Sequence, residues 1–477
     1  MAYVRQNRPS ITQADIDTAV GIEHSPSSAS RQHTATIYDN TAIHSQPVTA
    51  TRTEPIYYRG MPHRAAKLYQ GSTHRVCSPE ETYDRIAPVL PRAGITRMAD
   101  VTGLDRIGIP TILAMRPNAP TLSNSSGKGF TKTAAMVSAA MEGIELFCAE
   151  EERFDFEMVT ASYNDLLSDG VTLPEPDLLA LSLHSLFNPQ VQERWAIGWD
   201  LIGQREMAVP FEMVTMVPVL GDTPARFNFQ IGSNGLASGN VFLEAVCSGL
   251  SEVIERDSVT CSNIASGYNM ARLSRMDTDT ISYDSVQELL CRLSAKGISA
   301  VVFDCTVDTN VPTYEVYLVD NDIPSTGLFR GYGAHLHPEI AMLRAFTEAV
   351  QSRAVYIAGS RDDMMTYEHR RMRQRPSSQI RELADDKEHA IPFIRTSRAT
   401  DSFEGDCRAL LDSLVGSGIE SAVVFDLSWP ELGVSVIRVV VPGLEGYGSF
   451  PYYSPGQRAR AAAELAMQAA TFKTGAQ

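Results

Sequence analysis

Positive charge is scarce in this 477-residue sequence: 41 Lys and Arg face 57 Asp and Glu, for a formal net charge of −16. A sequence-independent grip on a nucleic acid backbone needs the opposite balance, so that function class is excluded. Long apolar runs are missing too. The longest, such as "SAVVFDLSW" from Ser421, have the length of a strand, and no membrane span is expected. The first residues, "MAYVRQNRPSITQADID", lack the apolar centre and cleavage pattern of a secretory signal. The seven cysteines form no Cys-x-x-Cys pair and no regular framework, so reduced core thiols and a reducing cytoplasm are the expectation.

What is present is an ordinary globular composition, 43% hydrophobic and 21% charged. Residues 1–55 are rich in Ser, Thr, Gln and His with little periodicity, and are expected to form a largely disordered arm. Residues 56–455 carry dense apolar periodicity and are expected to form the folded domain. Residues 456–477 read as a C-terminal helix and tail.

Within the central region four segments repeat one pattern: an apolar stretch ending at Asp, a polar turn, then a second β-rich stretch. They begin at Gly94, Trp195, Gly297 and Gly418, and each predicts a β-hairpin. Helix-like stretches precede three of them. The first three also lead, through a glycine-containing segment, into a helix bearing a polar stripe. The predicted fold is therefore α/β or α+β, made of repeated β-hairpin-plus-helix units with mixed sheets. The fourth unit lacks the stripe and is expected only to complete a sheet.

Aligned on Ala135, Ala245 and Ala341, the three stripes place Ser138, Ser248 and Arg344 in register. Glu142, Glu252 and Glu348 coincide next, followed by Glu145, Glu255 and Gln351. Residues three and four apart share a helix face, so each helix offers a polar ridge. The flanks are apolar almost all round, which predicts buried helices whose carboxylates need counter-charge. Convergent glutamates repel one another unless a cation sits among them, and Mg²⁺ with oxygen ligands suits them. The preceding segments "SSGKGFTK", "SNGLASGN" and "GYGAHLHP" are expected to be loops whose backbone N–H groups receive an anion. Neither "SSGKGF" nor "GSNGLASGN" has the spacing of a Walker A loop or a dinucleotide fingerprint.

Taken together, "TGLDRIGIP", "RPNAPTLSNSSGKG", "SAAMEGIE", "EAVCSGLSEVIERD", "GYGAHLHPEIAMLRAFTEAVQSR", "GSRDD" and "VVVPGLEG" resemble the YcaO family from about residue 60 to 450. The resemblance implies an ATP-dependent enzyme that activates a peptide backbone amide in ribosomally made, modified peptides. It implies ATP and Mg²⁺ as cofactors, with Glu142, Glu145, Glu252 and Glu255 as carboxylates of the Mg²⁺-phosphate site. Asn240 and Glu244 match the family's N-x3-E, with Glu244 a further metal ligand, and Arg256 resembles a phosphate-contacting arginine. Arg344, Glu348 and Gln351 fill the third motif. Ser138, Ser248, Arg116 and Lys128 are further candidates for nucleotide contact.

The implied chemistry adds a nucleophile to the amide carbon, phosphorylates the amide oxygen and expels phosphate, with no protein nucleophile. The nucleophile decides the product: a peptide Cys, Ser or Thr gives an azoline, a sulfide equivalent a thioamide, an amine an amidine. No proline follows Pro455, which departs from the Pro-rich end of azoline-forming members. The run from Arg97 to Gly129 is similar to stand-alone members that form thioamides beside a TfuA-like partner. The expected partners are thus a precursor peptide or protein and a TfuA-like or leader-recognition protein, with a homodimer left open and no nucleic acid or membrane. Two rivals remain: a non-catalytic nucleotide-binding scaffold, and an unrelated metalloenzyme using His335 and His337.

Overall fold

The computed structural model describes residues 54–150, 153–216, 227–323, 326–360, 377–386, 388–449 and 452–474. Of the expected arm, residues 1–53 lie outside the described residues, as do Arg361, Asp362 and Asp363 of "GSRDD".

All four expected hairpins form. They are β5 (Arg97–Asp100) with β6 (Thr111–Met115), β9 (Gln192–Asp200) with β10 (Arg205–Pro210), β13 (Ile298–Asp304) with β14 (Thr313–Asp320), and β16 (Val423–Asp426) with β17 (Ser435–Val440). The recurrent Asp closes each first strand for one reason. Asp100, Asp200, Asp304 and Asp426 each accept, through Oδ1, the N–H two residues on, at 2.9–3.1 Å. This Asx turn starts the chain's reversal.

Helices precede three hairpins, as expected: α1 (Pro79–Ile86), α5 (Asp284–Ser294) and α8 (Phe403–Gly416). Ser78 and Glu81 form a capping box that starts α1, and Ser402 caps α8. The remaining short helices are α3 (Tyr163–Ser168) and α7 (Ser377–Asp385).

After each of the first three hairpins comes a third strand and then a long helix. These are β7 (Asn124–Lys128) into α2 (Lys132–Glu150), β11 (Leu236–Gly239) into α4 (Phe242–Ala265), and β15 (Leu328–Ala334) into α6 (Pro338–Ala358). Here the sequence expectation fails in part: half of each glycine-rich segment is strand rather than anion-receiving loop. Their glycines admit the helix backbone. A Cβ on Gly127 would stand 2.0 Å from Ala139 N, and one on Gly333 2.1 Å from Ala341 O.

The strands form a sheet β5-β6-β7, a sheet β12-β13-β14-β15 with β12 at Ser274–Arg275, and a six-stranded sheet β10-β9-β16-β17-β11 in which β8 (Met158–Ser162) also pairs β9. Two further two-stranded ribbons lie N-terminal, β1 (Ile56–Tyr58) with β2 (Met61–His63) and β3 (Tyr69–Gln70) with β4 (His74–Arg75). Mixed sheets were expected, but every ladder between these strands is antiparallel. The reason is that each helix follows the third strand of its unit instead of linking two parallel strands. The fourth hairpin completes the six-stranded sheet, as expected.

The strands β7, β11 and β15 each lie at the edge of their sheet. Each long helix packs on its own edge strand and also on that of the next unit: α2 on β7 and β11, α4 on β11 and β15, α6 on β15 and β7. The C-terminal helix α9 (Gln457–Thr474) packs on α4, where Arg458 pairs with Asp257 at 2.9 Å. All seven cysteines are free, and Cys148, Cys247, Cys261, Cys305 and Cys407 are buried. Among the described residues, no helix is long and apolar enough to cross a membrane.

Candidate active site

Along α2, α4 and α6 the aligned ridges are the places where a polar side chain interrupts a buried face. Ser138, Glu142, Glu145, Ser248, Glu252, Arg344 and Glu348 are half-buried. Glu255 and Gln351 are buried, at 8% and 9% exposure. The small residues between them, Ala139, Ala140, Gly143, Gly249, Ala345 and Ala349, let the neighbouring strands approach.

The last residue of each ridge reaches the edge strand of the following unit. Glu145 Oε1 accepts from Ser238 N at 2.7 Å and from Ser238 Oγ at 2.6 Å. Glu255 Oε2 accepts from Ala334 N at 2.9 Å. Gln351 Nε2 donates to Ser126 O at 2.5 Å and to Ser126 Oγ at 2.7 Å. Unit one thus ties to two, two to three, and three back to one. The strand N–H groups do meet anions, but the anions are carboxylates of the protein itself. Gln351 departs from Glu because it faces a carbonyl oxygen, which needs a donor.

The ridges also meet electrostatically. Burial pushes Glu145 up to about 8, with Glu142 and Glu252 adding to the shift and the Ser238 bonds opposing it. Burial likewise raises Glu255, reinforced by Glu348 and Glu252 against Arg256 and Arg344. Burial raises Glu252, opposed by Arg256, the Gly235 N–H and Arg438. For Arg256 burial disfavours the charge, yet Glu252, Glu255 and Glu348 hold its pKa above the ordinary value. Its guanidinium lies 4.9 Å from the Tyr447 ring centre. Lys128 of β7 pairs with Glu348 at 3.1 Å, so this expected loop charge belongs to the cluster.

An all-oxygen set of crowded, protonation-prone carboxylates is short of positive charge. That fits a hard divalent cation such as Mg²⁺, which would return these glutamates to the ionised form.

Other expected residues are engaged elsewhere. Arg116 is buried, its Nη2 on Glu150 Oε2 at 2.5 Å and its Nε on Ala93 O at 3.1 Å. Its place is a structural ion pair at the far end of α2, since a buried guanidinium needs its own carboxylate. Glu244, expected to ligate metal, accepts from Val76 N at 2.9 Å and from Asn240 N and Nδ2, and pairs with Arg75 at 3.4 Å. Asn240 Oδ1 in turn accepts from Thr82 Oγ1 at 3.0 Å and from Arg85. The two form a polar brace between α4 and the α1 region.

At the alternative histidine site, His335, His74 and Asp406 bring ligand atoms within 4.8 Å of one another. Lys67 Nζ, however, sits 2.5 Å from Asp406 Oδ2 and 3.2 Å from His74 Nδ1, where a cation would bind. Lys67, His74 and Arg438 lie in no motif, whereas Ser126 and Ser238 lie inside the quoted segments "SSGKGFTK" and "SNGLASGN". Tyr447 stood immediately after the quoted "VVVPGLEG".

The sequence profile of the family described as YcaO cyclodehydratase, ATP- and Mg²⁺-binding, matches residues 126–445. This chain belongs to the YcaO family. ATP and Mg²⁺, the expected cofactors, are those of the family. An uncharacterized protein in the tfuA 3′ region of Rhizobium leguminosarum bv. trifolii is 33% identical over 392 residues, covering 81% of this chain and 92% of that protein. An uncharacterized protein of Methanothermobacter thermautotrophicus is 35% identical over 379 residues, covering 78% and 95%.

Among solved structures, YcaO from Methanopyrus kandleri bound with AMPPCP and Mg²⁺ superposes with a TM-score of 0.62 at 24% identity, over 80% of this chain and 96% of that one. A heterocyclase in complex with substrate and cofactor superposes at 0.69 with 21% identity, over 85% of this chain. The YcaO chain spans only 56% of that heterocyclase, and at these identities the likeness establishes the fold.

Proposed function

We propose that this YcaO protein activates a backbone amide of a ribosomally made peptide by ATP-dependent phosphorylation of the amide oxygen, and that the product is a thioamide formed with a TfuA-like partner. The observation that carries the amide-activation reading is the convergence of three glutamate-bearing ridges, tied unit to unit, in a family that binds ATP and Mg²⁺. The relative in the tfuA region supports the thioamide product.

When bound, ATP would supply the phosphoryl group and Mg²⁺ the charge neutralisation. Glu142, Glu145, Glu252 and Glu255 would hold the metal ions. Arg256, fixed by the glutamates beside it, would face negative charge developing on the phosphoryl oxygens. The half-buried Ser138, Ser248, Arg344 and Glu348 would face a ligand, Gln351 would hold the geometry through Ser126, and Glu145 would do so through Oε1 on Ser238 while Oε2 serves the metal. Asn240 and Glu244 would act from the brace at the start of α4. Catalysis on this reading is positioning and electrostatics.

The test incubates the purified chain with ATP, Mg²⁺, a panel of precursor peptides, sulfide and a TfuA-like protein, following phosphate release and peptide mass. Exchange of one oxygen for sulfur supports the proposal. Loss of water at Cys, Ser or Thr would make it an azoline-forming cyclodehydratase, and failure to consume ATP would leave a scaffold.

A further inference from the structure

Beside the ridges, between α4, α6 and α8, the structure holds a small, partly open pocket that none of the steps above uses. One wall is polar: His74, Arg75, Ser248, His335, Arg344 and the Asp406 carboxylate, which Lys67 pairs. The facing wall is apolar, with Leu336, Phe403 and Leu410. The cavity measures about 10 Å³, room for about one water-sized sphere. Ser248 and Arg344 are also the first residues of two ridges, so the pocket abuts the candidate active site.

Hydrogen bonding fixes what the two histidines present. Lys67 Nζ has only donors, so His74 Nδ1, 3.2 Å away, accepts and the ring proton sits on Nε2. The backbone N–H of His337 donates to His335 Nδ1 at 2.9 Å, which likewise leaves the proton on Nε2. Each ring has therefore spent one lone pair and offers an N–H. A metal ion would need those lone pairs, and the Lys67 ammonium already lies on Asp406 and His74.

Charge agrees with this reading. Burial, then Lys67, lowers His74 to about 4, and burial with Arg344 lowers His335 well below the usual value, so both rings are neutral. Around them stand Lys67, Arg75 and Arg344, of which Lys67 pairs with Asp406 and Arg75 with Glu244. Glu252 and Glu255 also act on Arg344 from the ridge side, where Arg256 accompanies them. Burial and the neighbouring Arg75 oppose the charge of Arg344, which an anion between them would relieve.

We propose that this pocket binds one small monoanion, and that it seats the external hydrosulfide nucleophile of the amide-activation reaction. The second half rests on the function proposed above; the first does not. One apolar wall and room for a single small sphere suit a soft, weakly hydrated anion better than phosphate, whose four oxygens would need donors on every side. In the reaction the sulfur forms a bond to the amide carbon, and the carbonyl π pair moves to oxygen, which takes the phosphoryl group from ATP. The C–O bond then breaks, phosphate leaves carrying the former S–H proton, and C=S remains. ATP becomes ADP and no oxidant or reductant is needed.

The experiment uses the full chain and bromide as the anion probe, read by bromide NMR line broadening and by calorimetry without ATP. Wild-type protein is expected to bind bromide in competition with hydrosulfide. His74→Phe removes a donor and is expected to abolish bromide binding and raise the KM for hydrosulfide about tenfold or more, the range of one hydrogen bond to a charged group. His74→Gln, whose amide replaces the Nε2 donor, is expected to restore part of both. Affinity for ATP reports that the ridges are intact.

Absence of bromide binding, inorganic phosphate binding in its place, Zn²⁺ binding at His74, or unchanged behaviour of His74→Phe would each overturn the site. Bromide binding without any ATP consumption would sustain the anion site and overturn the amide-activation reading with its hydrosulfide role.

Discussion

Glu145 on α2 and Ser238 on the edge of β11 share two hydrogen bonds, from the serine N–H and hydroxyl to a single carboxylate oxygen. The pair joins the first unit to the second and leaves Glu145 Oε2 for the ridge. Ser238→Ala deletes the hydroxyl bond and leaves the N–H bond in place. It is expected to lower Mg²⁺-dependent ATP turnover about tenfold, with a small loss of stability, as for one hydrogen bond to a charged group. Turnover measured across a Mg²⁺ titration checks this.

Glu142→Gln and Glu255→Gln remove charge from the cluster with little change of shape. Both are expected to abolish ATP use while the metal-free protein stays folded. Glu255→Gln should raise its melting temperature, since burial and Glu348 already disfavour that charge. Full turnover in both variants would sink the site assignment.

The third tie predicts the opposite outcome for the reverse change. Gln351→Glu sets a carboxylate against the Ser126 carbonyl oxygen in place of a donor. A loss of about 1–3 kcal/mol is expected in chemical denaturation, from the orphaned acceptors. Unaltered stability would show that this tie does not hold the third unit.

The raised pKa of Glu145, from a usual 4.5 to about 8, makes stability depend on pH. Between those values the folded protein binds more protons than the unfolded chain, so without metal its stability falls as pH rises. Mg²⁺ needs the ionised form, so its stabilising effect should grow over the same rise. Melting curves from pH 5 to about 8.5, with and without Mg²⁺, test both slopes.

Gly127→Ala would place a methyl group 2.0 Å from Ala139 N and 2.3 Å from Ala135 O, both backbone atoms. Separation of α2 from β7 is expected to cost about 3 kcal/mol or more. A soluble, fully stable Gly127→Ala protein would contradict the close packing described here.

The repeats were legible because their chemistry is local. Asp100, Asp200, Asp304 and Asp426 advertise the hairpins two residues ahead, and ridge spacing along one helix follows from 3.6 residues per turn. What stayed hidden depends on distant partners. "SSGKG" reads as a loop until Ala135 and Ala139 are seen to lie against Gly127. Gln351 reads as a ligand contact until Ser126, 225 positions away, faces it. Arg116 reads as a nucleotide contact because Glu150 and Ala93 reach it only after folding. Lys67 and His74 precede the first long helix and carry no motif, so their meeting with His335 and Asp406 had no sequence signal.

The ties also set when a chain becomes competent. They join residues 93, 79 and 225 positions apart, so none can form inside one unit. Synthesis proceeds from the N-terminus, and four ridge glutamates, Glu142 to Glu255, leave the ribosome long before α6 exists. Until Gln351 has emerged and folded back onto Ser126, the ring stays open and Glu348 has not met Lys128. A nascent or truncated chain carries most of the charged residues without the enclosure that organises them. On the proposed function, ATP use would therefore begin only after α6 has folded back onto β7.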